Sequence, residues 1–177
     1  MEDDVEAAVT VVRVKSTLIA LADLAGRFYD HPQRSLRMVG VTGTNGKTTT
    51  TYLLRAMLEA HGLSTGLIGT IEYRIGNRCV ASDNTTPEAH QLHALLREMV
   101  EEQNQAAVME VSSHGLSLGR VRGIDFEQAV FTNLTGDHLD YHTSMDRYAA
   151  AKAKLFEGLG ADACAVLNSD DPYAGRM

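Results

Sequence analysis

An α/β protein with a doubly wound, mostly parallel sheet is the fold class this sequence predicts, and three observations carry it. Short β-branched or apolar runs alternate with segments whose apolar residues recur at helical spacing. A glycine-bearing turn, Gly43 to Gly46, joins one such run to one such segment. A carboxylate, Glu110, closes another run, where open α/β sheets place their ligand chemistry.

Taken in order, residues 1–15 begin acidic and pass into Val9 to Val14, which reads as a strand with no partner nearby. Ser16 or Thr17 suits a helix cap. The helix is expected to reach about Tyr29 on a stripe of Leu18, Leu21, Ala22, Ala25 and Phe28, with Pro32 beyond it. Met38 to Thr42 suits a buried parallel strand, and from Thr48 the apolar residues Leu53, Leu54, Met57 and Leu58 read as a helix ending near His61-Gly62. Ser64 to Thr70 predicts the next strand. Ile71 to Ile75 and Cys79 to Ala81 flank Gly76-Asn77 as an edge hairpin. Pro87 sits at the start of a helix running to about Glu102 that buries Leu92, Leu95, Leu96 and Met99. Strands follow at Ala106 to Val111, Gln128 to Thr132 and Ala163 to Leu167, with a helix from about Met145 to Leu159 between the last two.

Composition narrows the function. The 177 residues are 44% apolar, enough for one domain with a core. A net charge of −7 argues against nucleic acid or an anionic membrane as partner, because either needs a basic face. The apolar runs are too short to span a bilayer, and Glu2, Asp3 and Asp4 stand where a signal peptide carries positive charge, so a cytoplasmic location is expected. Cys79 and Cys164 lie in no paired spacing and read as free, buried thiols. His31, His61, His90 and His93 read as surface or capping residues.

The turn itself reads as a phosphate cradle. Gly43, Thr44, Asn45, Gly46, Lys47, Thr48 and Thr49 match a P-loop except that Val41 stands where the strict pattern begins with glycine. Backbone N–H groups and the start of the next helix would face an anion, Lys47 would reach the terminal phosphates, and Thr48 could complete a Mg²⁺ shell. ATP and Mg²⁺ are therefore the expected ligands, with Thr48 and Glu110 as the natural oxygen donors. His138, between two carboxylates in a strand-end loop, is open to a metal role or a structural one. On the residues alone Lys152 reads as a solvated helix lysine.

Gly43-Thr-Asn-Gly-Lys-Thr-Thr, Asn84-Thr-Thr-Pro, Glu110-Val-Ser-Ser-His-Gly, Thr132-Asn-Leu, Asp137-His-Leu-Asp-Tyr-His and Tyr148-Ala-Ala-Ala-Lys occur in this order. Together they resemble the central ATP-binding domain of the Mur ligases, and within that family the branch that adds the third residue of the peptidoglycan stem peptide. The resemblance implies ATP-dependent amide ligation, with a D-glutamate carboxylate activated as an acyl phosphate and then attacked by a diamino acid. It implies catalytic roles for Lys47, Glu110, His138 and Lys152, metal ligation by Thr48, Glu110, His138 and Lys152, and carbamylation of Lys152 by CO₂. It places Asn84, Thr85, Thr86, Ser112 and Arg120 on the UDP-muramyl dipeptide.

Against the family's three domains, residues 1–15 correspond to the end of a uridine-binding domain or a linker, and residues 16–177 to a central domain incomplete at its C-terminus. The C-terminal ligase domain is expected to be absent, so the domains missing here are expected partners. Leu118 and Gly136 are smaller departures from the family pattern. Two other readings share the architecture: a folylpolyglutamate synthetase-like ligase, which the Asn84 and Glu110 motifs speak against, and a noncatalytic nucleotide-binding fragment.

Overall fold

Ser16 opens the first helix by accepting the Ile19 amide on its side chain at 3.4 Å, and α1 runs Thr17–Phe28 in the computed structural model, which describes residues 10–136 and 139–177. Residues 10–14 form no strand, so the expected strand over Val9 to Val14 is not made where it is described. The α1 stripe also differs. Ala22, Ala25 and Gly26 are buried against α3 (Ala89–Glu101), while Leu18, Leu21 and Phe28 are exposed. Small residues let two helices approach closely, and the large apolar side chains stay outside that contact.

Strand β1 (Arg37–Thr42) leads into α2 (Lys47–Ala60), which closes with the Leu63 amide donating to the Leu58 carbonyl across Gly62, the glycine ending read from the sequence. Strands β2 (Thr65–Ile68), β3 (Glu72–Ile75) and β4 (Arg78–Ala81) follow, the last two as the expected hairpin. Helix α3 begins after Pro87 with Glu88 as cap, its backbone amide donating to the Gln91 side chain. Then come β5 (Ala106–Glu110), a short α4 (Ser113–Ser117), β6 (Gln128–Phe131), α5 (Leu139–His142), α6 (Met145–Glu157) and β7 (Cys164–Leu167).

The strands make one seven-stranded sheet in the order β4-β3-β2-β5-β1-β6-β7, parallel from β2 to β7 and antiparallel through the hairpin. Alternation along β1 sends Met38 to one face and Val39 and Val41 to the other. On the first face Leu92, Leu96 and Met99 of α3 and Tyr148, Leu155 and Phe156 of α6 build the larger core. On the second, Tyr52, Leu54 and Leu58 of α2 cover Val39, Val41, Leu67 and Val108. Helices on both faces make the sheet doubly wound, as predicted. The second face is thin: Leu53 and Met57 of α2 are exposed, and so is all of β7, including Val166 and Leu167.

Four side chains lie differently from expectation. Cys79 and Cys164 are free but exposed, because both sit on edge strands. Cys79 donates to Glu72 at 2.7 Å, and with Arg74 and Tyr52 also donating, the Glu72 carboxyl is pulled down to about 2. His93 is buried between α3 and α1, and neither of its ring nitrogens has a hydrogen-bond partner. Burial, with the nearby His31 adding to it, holds His93 below the ordinary imidazole value. Lys152 is 1% exposed, because α6 packs Tyr148, Ala149, Ala151, Ala153, Leu155 and Phe156 inward around it.

Candidate active site

Parallel pairing brings the carboxyl ends of β2, β5, β1 and β6 to one edge of the sheet, with β1 between partners that leave it in opposite directions. That is a topological switch point, the place where open α/β sheets bind ligands. The Val111 amide donates to the Val41 carbonyl and the Thr132 amide to the Thr42 carbonyl, so the chain leaves all three central strands in register.

Residues 43–46 turn from β1 into α2. At Gly43 a β-carbon would stand 1.9 Å from the Thr132 hydroxyl, so only glycine fits, and Gly46 takes φ +84° just before the helix. The loop after β6 braces this turn. Asn133 accepts the Thr44 amide on its carbonyl and the Asn45 amide on its side chain, and Thr132 donates to the Asn45 carbonyl at 2.7 Å. Lys47 lies back over the turn, its Nζ donating to the carbonyls of Gly43 and Thr44 at 2.9 Å each. An anion in the turn would compete for that ammonium.

Across from the turn stands Glu110, 1% exposed. Oε1 accepts the Thr48 hydroxyl at 2.9 Å and the Thr70 amide at 2.9 Å, and Oε2 accepts the Thr70 hydroxyl at 3.1 Å. These donors offset the cost of burying the carboxylate. A cavity of about 520 Å³ opens at the turn and Glu110, and Asn84, Thr85, Ser112, His114 and Arg120 also line it. Arg120 donates to the Thr86 carbonyl at 2.9 Å and is ion-paired with Glu88. The Thr86 hydroxyl is buried and bonded to the Glu110 carbonyl and the Ser112 amide, so it holds two loops together.

Residues 41–177 match the family described as the Mur ligase middle domain. The chain belongs to the Mur ligase family. It is 50% identical over 176 residues to the UDP-N-acetylmuramoyl-L-alanyl-D-glutamate–2,6-diaminopimelate ligase of Bacillus cereus, covering 96% of this chain and 36% of that protein. It is 52% identical over 172 residues to the ligase of the same name from Chlorobium phaeobacteroides, covering 97% of this chain and 34% of that one. A solved structure of a ligase with this name matches at a TM-score of 0.77 and 35% identity, over 90% of this chain and 33% of the other. The chain thus spans about a third of the length of the curated relatives it matches. A folylpolyglutamate synthase from Mycobacterium tuberculosis shares the fold at a TM-score of 0.65, with 18% identity over 89% of this chain and 43% of that one.

Within this Mur ligase domain, Thr44, Asn45, Gly46, Lys47 and Thr48 line the same cavity as Glu110, Asn84, Thr85, Thr86, Ser112 and Arg120, so most of the site residues predicted from sequence are brought together. Thr49 is exposed and off the cavity wall. Lys152 sits behind the turn instead, its Nζ donating to the Gly43 carbonyl at 2.8 Å and lying 4.5 Å from the centre of the Tyr148 ring. His138 lies outside the described residues, and among the described residues no three His, Cys, Asp or Glu side chains form a metal cluster. The donor set nonetheless suits Mg²⁺, which takes one or two protein oxygens and keeps its waters: the Thr48 hydroxyl and the Glu110 carboxylate already touch at the cavity wall. Sequence reasoning missed Thr70, which grips Glu110 from the end of β2, and Tyr148, whose hydroxyl hydrogen-bonds to Thr44 at 3.2 Å. The Tyr148-Ala-Ala-Ala-Lys motif carried a signal for the second, but nothing local marked the first.

Proposed function

We propose that the chain is the phosphoryl-transfer core of an ATP-dependent ligase of peptidoglycan precursor synthesis. In this reading the D-glutamate carboxylate of UDP-MurNAc-L-Ala-D-Glu attacks the γ-phosphorus of ATP and releases ADP. The amine of a diamino acid then displaces phosphate from the acyl phosphate to leave an amide. D-glutamate is already in place, and the diamino acid is what is added. The 50% and 52% identical relatives are 2,6-diaminopimelate ligases, which favours 2,6-diaminopimelate.

The observation that carries the reading is the single cavity in which the phosphate turn and Glu110 face Asn84, Thr85, Ser112 and Arg120. An anionic nucleophile and an anionic phosphoryl group repel, so the site has to stabilise charge more than it has to perform covalent chemistry. The backbone of residues 43–46 and the start of α2 would hold the phosphates, and Lys47 would exchange its two carbonyl bonds for phosphate oxygens. Thr48 and Glu110 would hold Mg²⁺, which supplies positive charge between the reacting anions. Arg120, Asn84, Thr85 and Ser112 would orient the muramyl peptide.

The family resemblance adds His138 and a carbamylated Lys152 as further ligands on the acyl side. A carbamate keeps one N–H, which could retain the bond to the Gly43 carbonyl that Lys152 makes as an ammonium. The reading assigns residues 1–15 to the end of a preceding domain or a linker and 16–177 to the central domain. Cytoplasmic action belongs to the same proposal, and no described helix is long and apolar enough to cross a membrane.

Calorimetric titration of this chain with ATP and Mg²⁺ tests the core of it. Binding is expected, and Lys47→Ala should abolish it. A folded wild-type chain that binds no nucleotide would overturn the reading.

A further inference from the structure

We propose that Thr70 is a positioning residue that aims the Glu110 carboxylate and ties its orientation to the Asn84–Thr86 segment; this rests on the metal role assigned to Glu110 above. Thr70 directly follows Gly69 at the end of β2, which pairs in parallel with β5 so that Ile68 stands beside Met109. The strand exit therefore runs alongside Glu110. A β-carbon at position 69 would stand 2.6 Å from Glu110 Oε1, so the carboxylate fits against position 69 only because it is glycine. Thr70 then engages both oxygens, its amide donating to Oε1 at 2.9 Å and its hydroxyl to Oε2 at 3.1 Å. Thr48 is the remaining donor to Oε1, but Thr48 is itself assigned to the metal. Of the donors that hold Glu110, the two from Thr70 are the ones with no other assigned task.

The hydroxyl geometry has a direction. A threonine hydroxyl carries one proton. The Thr70 proton goes to Glu110 Oε2, so in the 2.9 Å contact between the Thr70 and Thr85 hydroxyls, Thr85 is the donor. The chain runs from Thr85 to Thr70 to Glu110, each bond polarising the next. Thr85 stands in the segment assigned to the acyl substrate. An acceptor oxygen arriving there competes for the Thr85 proton and so acts on the carboxylate through Thr70. The relay links the Asn84–Thr86 segment to the Glu110 carboxylate, alongside the Thr86 bond to the Glu110 backbone carbonyl.

The test measures ADP affinity by calorimetry with and without Mg²⁺, on this chain and on Thr70→Val, Thr70→Ser and Thr85→Val. Melting temperatures of the ligand-free proteins are taken alongside. Thr70→Val is expected to cut the Mg²⁺-dependent gain in affinity by about tenfold, the low end for residues that orient a metal ligand. Metal-free affinity, which Glu110 does not serve, should be little changed. Thr70→Ser should restore the gain and Thr85→Val should lose a smaller part of it. The proposal is overturned if Thr70→Val keeps the full Mg²⁺ gain, or if Thr70→Ser fails as badly as Thr70→Val. It is also overturned if metal-free and metal-bound affinities fall together with a lowered melting temperature, since that marks a purely structural residue. A wild-type chain that binds ADP without any Mg²⁺ gain would overturn the metal role of Glu110, and this proposal with it.

Discussion

Glu110 and Lys152 are each 1% exposed, carry opposite charges and stand on opposite sides of one turn, yet the fold uses them differently. Glu110 ends a central strand on the wall of the cavity, where Thr48 and Thr70 converge on it. Lys152 projects from α6 behind the turn, bonded to the Gly43 carbonyl and lying over the Tyr148 ring, which in turn hydrogen-bonds to Thr44. In the proposed function one charge would meet a ligand, and the other, as an ammonium, braces the turn that would cradle it. Burial alone does not separate these jobs, since the direction of the hydrogen bonds does. Glu110 collects donors on a face open to the cavity, and Lys152 donates a hydrogen bond to the turn that a phosphate would occupy.

That contrast can be broken by mutation. The largest effect is expected from Glu110→Gln, which keeps the shape but exchanges an anionic metal ligand for an amide. The Mg²⁺-dependent gain in nucleotide affinity should fall on the order of a hundredfold, the upper end for disrupted metal sites, with metal-free affinity retained. Calorimetry with and without Mg²⁺ reads it. Lys152→Met should act otherwise. Losing the Lys152 bond leaves the Gly43 carbonyl with Lys47 as its donor, so the cost in urea unfolding should be about 0.5–1.5 kcal/mol. Where Lys152 is an uncarbamylated ammonium, nucleotide affinity should weaken with and without Mg²⁺ alike, because the cradle itself loosens. If Lys152→Met instead removed only the Mg²⁺-dependent part in a stable protein, Lys152 would belong with Glu110 at the metal and the contrast would collapse.

The two residues also differ in how far the sequence revealed them. Glu110 was legible because a carboxylate closing an apolar run sits where parallel sheets bind ligands, and the turn from Gly43 to Gly46 was legible from its spacing. Lys152 was not. Alanines on both sides give no polar face to compare with an apolar one, so periodicity could not show that α6 is packed around most of its circumference. Thr70 was hidden for another reason, since its role depends on the register between β2 and β5, a long-range fact with no local mark. Helix α1 failed in the opposite sense. Its position and cap were right, but its large apolar residues face outward because contact with α3 runs through Ala22, Ala25 and Gly26.

His93 sharpens the contrast from outside, being a third buried titratable group with hydrogen-bond partners at neither nitrogen and no place on the cavity. Asp23 and Arg27 of α1, His31 of the following turn and Arg122 surround the space beside it. Burial first, and His31 second, favour its neutral form, so its folded pKa lies below the ordinary value. Through the window beneath that value the unfolded chain binds more protons than the folded one, and stability falls as pH falls. Melting between about pH 7 and about pH 5 should therefore show a loss that His93→Gln reduces. Nucleotide affinity at neutral pH should be unchanged in this variant, unlike Glu110→Gln or Lys152→Met, because the neutral imidazole touches nothing in the cavity. An acid sensitivity identical in wild type and His93→Gln would place the titrating group elsewhere and leave His93 a packing residue alone.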